Sequence, residues 1–335
     1  MIFLLAISEC MQKANRESSM KKGYVYILFS TILFSSMEIM LKVVSGQFHP
    51  VQITFLRFLI GAIILMPLAV KGLHERQVRF HIGDFFYFAG TGCICVVFGM
   101  ILYQMAIGYS QASVVAVLFS CNPVFVVIFA YFLLHEKIYW YTVVSLMLSI
   151  LGILAIMNPA HMTGNLLGIV LTVLSAVMFA LYGVIGRKRS EYYGGFALTS
   201  FSFLFGSMEL FLLILLSKIK VISTLLIKNG FRTFADVPVF SGITFQNIPY
   251  LIYIAVCITG LGYTFYFMAM EETSAATASL VFFIKPVLAP LLALILIHET
   301  IHLNMTIGIL LIVSGSLFSF IPNMQQSFAS HPANS

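Results

Sequence analysis

Residues 103–123 read YQMAIGYSQASVVAVLFSCNP, and residues 266–286 read YFMAMEETSAATASLVFFIKP. Set against each other at a shift of 163, Tyr103 falls on Tyr266, Met105 on Met268, Ala106 on Ala269, Ala112 on Ala275, Phe119 on Phe282 and Pro123 on Pro286. The same register pairs His135 with His298, Glu136 with Glu299 and Gly152 with Gly315. Nearer the N-terminus the shift is 145, and it pairs Gly23 with Gly168, Ser30 with Ser175, Phe34 with Phe179, Lys42 with Arg187, Thr54 with Thr199 and Gly61 with Gly206. The shifts differ by 18 residues, the extra length of a polar excursion over residues 218–247. The chain is therefore two copies of one unit.

Composition says in which solvent that unit lives. Of 335 residues, 60% are apolar and 9% charged, whereas a soluble domain is about 45–50% apolar and about 25% charged. A water-soluble enzyme, a disordered tail and a nucleic-acid binder are excluded. The net charge of +6 speaks to membrane topology and to anionic lipid headgroups. Cys93, Cys95, Cys121 and Cys257 fall inside apolar stretches and read as buried free thiols, with Cys10 outside them. The opening MIFLLAIS is too short for a signal sequence and lacks a basic lead. Met20 before Lys21 and Lys22 reads as an alternative start, which makes residues 1–20 an extension expected to lack order.

Apolar runs fall near 23–44, 51–70, 84–107, 112–134, 139–157, 165–186, 195–217, 248–270, 275–297 and 302–321. A bilayer-spanning helix takes about 20 such residues, and backbone in lipid must satisfy its own hydrogen bonds, so each run is expected to be helical. The expected fold is an all-α integral membrane protein of ten transmembrane helices. Its units are an extension (1–20), a first repeat (21–160), a second repeat carrying the 218–247 loop (161–321) and a tail (322–335). Five helices per repeat is an odd number, so the second copy enters from the opposite face. The halves are then related by a two-fold axis in the membrane plane, an architecture secondary transporters use for alternating access. With the N-terminus inside, basic residues in the loops divide eleven to five in favour of the inner face, which predicts both termini in the cytoplasm.

Within these spans, Thr54-Phe55-Leu56-Arg57-Phe58-Leu59-Ile60-Gly61-Ala62 resembles the second-helix signature of the EamA domain in the drug/metabolite transporter superfamily. Asn122-Pro123 followed by His135-Glu136-Lys137 and Gly152 resembles the closing half of that repeat, echoed by Lys285-Pro286, His298-Glu299 and Gly315. The resemblance covers residues 21–321. It implies a permease of the cell (inner) membrane, often an exporter of amino acids, other metabolites or toxic organic compounds, and leaves the substrate open. The second repeat departs from the signature at Ser202, where the first has Arg57.

Four charges lie well inside the spans, away from their ends: Glu38, Arg57, Glu209 and Lys285. A charge at a helix centre costs about 2.5–3.5 kcal/mol on insertion scales, so each needs a partner or a wet cavity. Lys285 lies ten residues into its span, near mid-membrane, and its repeat mate Asn122 lies equally deep from the other face. Both precede proline, which removes a donor and frees the carbonyl four residues back. Pro123, Pro286 and Pro290 are therefore expected to break their helices. Lys285 and Asn122 are expected to line a central cavity, with Lys285 facing an anionic substrate group or else pairing with a glutamate. Glu38 and Arg57 lie at similar depth on one hairpin, where an ion pair is easy. Glu209 reads as a partner for Lys285, and Glu38 or Glu209 as the carrier of a coupling proton. Tyr103, Tyr182, Tyr263 and Tyr266 are candidates to line the cavity, since a buried hydroxyl needs a partner.

One local match competes. His298-Glu299-Thr300-Ile301-His302 fits HExxH, in which two histidines a helical turn apart hold zinc and the glutamate is the base. It spans the gap between two runs, lacks an obvious third ligand, and His302 has Tyr139 as its repeat mate. A membrane metalloprotease is thus the weaker reading, as is a receptor or scaffold, which has no need of inverted duplication. The expectation is no enzyme, metal or cofactor, with Glu136 and Glu299 capping helical hairpins at the membrane surface.

Overall fold

The computed structural model describes residues 2–134, 140–157, 166–273, 278 and 280–329. Every described regular element is helical. The first half contains α1 (Ile2–Val43), α2 (Pro50–Glu75), α3 (Ile82–Gly92), α4 (Ile101–Tyr109), α5 (Ala112–Phe119), α6 (Asn122–Leu134) and α7 (Trp140–Met157). The second contains α8 (Leu166–Tyr193), α9 (Gly195–Ser217), α10 (Lys220–Lys228), α11 (Ile248–Ile252), α12 (Tyr263–Glu272), α13 (Leu280–Ile297) and α14 (Leu303–Ala329). Seven helical stretches among the described residues are long and apolar enough to cross a membrane, and three shorter apolar ones lie at Val143–Ile156, Ile284–Ile297 and Leu303–Gly315. Large apolar side chains such as Phe86, Leu212, Ile295 and Leu310 face outward, while serines and threonines such as Ser30, Ser175, Thr172 and Thr264 are buried between helices. That inversion of the soluble pattern suits a lipid surround.

The duplication is visible as exchanged contacts. Ser30 Oγ donates to Gly262 O at 3.0 Å, and its mate Ser175 Oγ donates to Gly99 O, the mate of Gly262, at 2.7 Å. A methyl group on Gly61 would lie 2.9 Å from Ala255 O, and one on Gly206 would lie 2.7 Å from Gly92 O, the mated carbonyl. Both glycines are where helix backbones touch, and only a missing side chain permits it. The mated helices α2 and α9 pack on each other, as do α7 and α14.

Both halves also carry a π-helical stretch that the sequence reading did not anticipate, Cys93–Met100 between α3 and α4 and Tyr253–Gly262 between α11 and α12. An inserted residue widens the turn and frees a carbonyl, which is why such segments concentrate at functional sites. Gly99 O and Gly262 O, which take the serine bonds, lie within them.

Two expectations are corrected, and the long excursion gains detail. Residues 2–20 continue α1 as helix; they contain neither glycine nor proline, so nothing interrupts the ladder begun in the first span. The helix α13 runs unbroken through Pro286 and Pro290, because the φ of proline is itself helical and each ring removes only one donor. The 218–247 excursion contains α10 and a short turn at Arg232–Phe234. In the first half the chain does interrupt, between Phe119 and Asn122, with Pro123 in the first turn of α6. His135, Glu136 and Ala275, which the repeat invokes, lie outside the described residues, and with them the expected cap by Glu136.

Candidate functional site: a buried charge cluster where the halves meet

Helix α1 brings Glu38, the helix after the π stretch brings Tyr103, and α13 brings Lys285, all fully buried. Lys285 Nζ lies 2.5 Å from Glu38 Oε1, and the Tyr103 hydroxyl donates to the same oxygen. Glu38 Oε2 is buried without a partner. Lys285 Nζ also sits 5.0 Å from the centroid of Phe119, over its ring. The negative face of the ring thus serves as a second, weaker counter-charge. An isolated ammonium here would cost several kcal/mol, and the pair with its tyrosine is what makes the position tolerable.

Arg57 on α2 is buried as well, and it does not take Glu38, contrary to the expected hairpin pair. Its guanidinium lies over Phe58 at 4.7 Å and Nη1 reaches Met37 Sδ at 3.7 Å. Nε and Nη2 have no partner among the described residues. Lys285 presents its charge at the carboxylate, while the Arg57 guanidinium carbon lies over the Phe58 ring. Counting Lys285 and Arg57 against Glu38 leaves the cluster one positive charge in excess.

Asn122 is not pointed freely into the centre. Its Nδ2 donates to Ala176 O at 2.8 Å, tying the start of α6 to α8, and Oδ1 is left unpartnered. Glu209 on α9 makes no ion pair with Lys285, which takes Glu38 instead, correcting that expectation; its Oε2 is buried and unpartnered.

Aromatic rings wall the cluster. Phe179 on α8 lies 5.4–6.3 Å, centroid to centroid, from Phe119, Tyr182, Tyr263, Tyr266 and Phe282. Tyr103 meets Phe119 edge-on at 4.9 Å, and the Tyr263 hydroxyl reaches Met100 Sδ, its own repeat mate, at 3.2 Å. All four expected tyrosines are therefore in this wall. Phe179 was missed as a functional candidate, although its register with Phe34 and the pairing of Phe119 with Phe282 were signals that rings recur around one point.

Polar contacts also tie helices to one another away from this cluster. At one end Lys42 Nζ donates to Ile107 O and Ser110 O, both at 2.8 Å, and Glu299 accepts from Ala112 N, Ser113 N and Ser113 Oγ at 2.8, 3.0 and 2.6 Å. A carboxylate on the exposed N–H groups of α5 satisfies donors that a helix leaves open and complements its dipole. At the other end Arg76 donates to Glu191 O at 2.6 Å and to Glu271 Oε2 at 3.1 Å.

The HExxH match does not take the helical geometry that the zinc reading needs. Residues 298–302 form a non-helical connection with His298 at φ 55°, so the two histidines do not share a helical face. The Glu299 carboxylate is committed to α5. Among the described residues no group of three or more His, Cys, Asp or Glu side chains is placed to hold a metal.

Comparison with known proteins agrees with the duplicated helical architecture. A Clostridium kluyveri protein described as an uncharacterized transporter is 39% identical over 323 residues, covering 94% of this chain and 98% of its own. An S-adenosylmethionine uptake transporter of Rickettsia prowazekii is 24% identical over 170 residues, 50% of this chain and 55% of its own. A solved crystal structure superposes with a TM-score of 0.61 at 17% identity, over 91% of this chain and 96% of that one, and so shares the fold. The sequence profile of the EamA-like transporter family matches twice, over residues 21–158 and 166–321. This multi-pass membrane protein, with its two mated halves, belongs to the EamA-like transporter family.

Proposed function

We propose that the protein is a secondary carrier that moves small organic metabolites, amino acids or drug-like compounds across the cell membrane by alternating access. Its working units are residues 21–160 and 161–321, and both termini face the cytoplasm. The observation that carries this reading is Arg57: a fully buried guanidinium with two unpartnered nitrogens, beside an ion pair that leaves one positive charge in excess. Unmet buried donors of a charged group cost more than about 1–3 kcal/mol each, and a carboxylate or similar anionic group on the substrate would meet both at once. In this reading Arg57 replaces Lys285 as the first anchor. Lys285 becomes available only when Glu38 releases it, and a proton taken up by Glu38 would do so. Glu38 is then the coupling site and Glu209, whose Oε2 is buried and unpartnered, a secondary candidate.

Asn122 Oδ1 and the hydroxyls of Tyr182, Tyr263, Tyr266 and Tyr103 would orient the polar remainder of the substrate, and the rings about Phe179 would cover its apolar part. Ties at both ends are consistent with an occluded state, and opening on either side would break one set while keeping the other. Family resemblance implies export, whereas the Rickettsia relative is named for uptake; direction is decided by flux. The test is transport by reconstituted protein across a metabolite panel, measured in both directions, with and without a pH gradient. Solutes bearing an anionic group should be carried and Arg57→Ala should carry them at least about tenfold more slowly. Wild-type flux by a folded Arg57→Ala protein would overturn the assignment.

A further inference from the structure

We propose that a cleft between α3 and α8, at the end of the bundle that carries Arg76, Arg187 and Lys188, binds a phosphate-bearing anion, namely the headgroup of an anionic phospholipid. A cavity of about 280 Å³ opens there, lined by Tyr87, Leu133, Val184, Ile185, Lys188 and Arg189. It lies outside the central cluster and does not depend on what that cluster carries.

The lining is divided as a lipid is divided. Leu133, Val184 and Ile185 form an aliphatic side where the spans end, and Leu133 is 41% exposed toward the surround of the bundle. Lys188 and Arg189 form the polar side. Arg189 is held in place: its guanidinium lies 4.9 Å from the Tyr87 centroid, and Nη1 donates to the Tyr193 hydroxyl at 3.0 Å and to Asp84 Oδ1 at 3.4 Å. The Tyr87 hydroxyl donates to Ile185 O at 3.1 Å, fixing the ring beneath it. Those bonds use Nη1 alone, and a guanidinium has five N–H donors, so Nε and Nη2 can still donate to phosphate oxygens.

Asp84, with His81 3.8 Å from it, offsets the charge of Arg189. The net attraction is therefore carried by Lys188, which is exposed and makes no ion pair among the described residues. A preoriented fork, a mobile ammonium and an aliphatic wall at a membrane boundary match a phosphodiester with acyl chains beside it. A free phosphate would use the first two features and leave the third idle.

Native mass spectrometry of the full-length protein, titrated with dihexanoyl-phosphatidylglycerol, dihexanoyl-phosphatidylcholine or inorganic phosphate, tests this. Phosphatidylglycerol is expected to bind at least tenfold tighter than phosphatidylcholine. Lys188→Glu should weaken phosphatidylglycerol about tenfold, while Lys71→Glu, at the same end but outside the cleft, leaves it unchanged. Leu133→Ala should weaken the lipid and not phosphate. Equal binding of the two lipids, or unchanged affinity in a folded Lys188→Glu protein, would overturn the site. Inorganic phosphate binding as tightly as phosphatidylglycerol, with no effect of Leu133→Ala, would assign the cleft to a free anion and overturn the lipid.

Discussion

Ser30 in the first half and Ser175 in the second make the same bond, each to a carbonyl of the other half. Glu38 and its register mate Gly183, Arg57 and Ser202, and Lys285 and Asn122 share nothing of the kind: in each pair one residue is charged and the other is neutral. The two halves therefore agree in how they pack and differ in what they bury. In the proposed alternating-access cycle packing would have to work with either half tilted, which a symmetric arrangement allows. A substrate has no such symmetry, and the charge cluster that would hold it has none either.

The comparison can be broken most forcefully at the ion pair. Removing one member of a buried pair strands the other and costs about 3–5 kcal/mol. Glu38→Gln and Lys285→Met should each lower the thermal unfolding midpoint sharply in detergent. The double variant should recover much of the loss, since neither charge is then left alone. The corresponding changes at the mates, Gly183→Ala and Asn122→Ser, should cost far less, although Asn122→Ser gives up the bond to Ala176 O. If the mates prove as sensitive as the charges, the asymmetry is not where the burial cost lies.

A second comparison sharpens the symmetric side. Gly61→Val and Gly206→Val each press a side chain against a carbonyl of the opposite half; overpacking of this sort costs about 1–3 kcal/mol. The two losses should match within error in a stability assay, because the contacts are register mates. The smallest effect belongs to Ser30→Ala and Ser175→Ala. Interhelical hydrogen bonds within membranes average about 0.6 kcal/mol, so each serine should register a slight and equal loss. A clear inequality in either pair would show that the halves are not mechanically equivalent.

Most of the architecture was legible in the sequence, because lipid leaves the backbone one option and duplication repeats its apolar runs in register. Glu38 and Lys285 were legible for a related reason: charge inside an apolar run has to be explained. Which glutamate Lys285 would take was not, since that depends on α1 and α13 packing side by side across 247 residues of chain. The pairing of Glu38 with Arg57 looked easier because the hairpin is local, and the fold overrode it. The π-helical stretches were illegible because they alter hydrogen bonding without altering the apolar pattern. The unbroken course of α13 through two prolines was misread for the converse reason, as proline has a strong local signature that a helix with packed neighbours can absorb. Glu299 was expected at a helix end, but the end it caps, α5, lies in the other half.

In the proposed function the guanidinium of Arg57, with two unpartnered nitrogens, binds the anionic part of the substrate. That binding is tested most directly by flux of an identified solute into proteoliposomes containing wild type, Arg57→Ala or Arg57→Lys, each shown to be folded and inserted. Arg57→Ala should lose at least about tenfold in flux and Arg57→Lys should recover part of it, since lysine restores charge without the fork. Equal flux by all three proteins would contradict it.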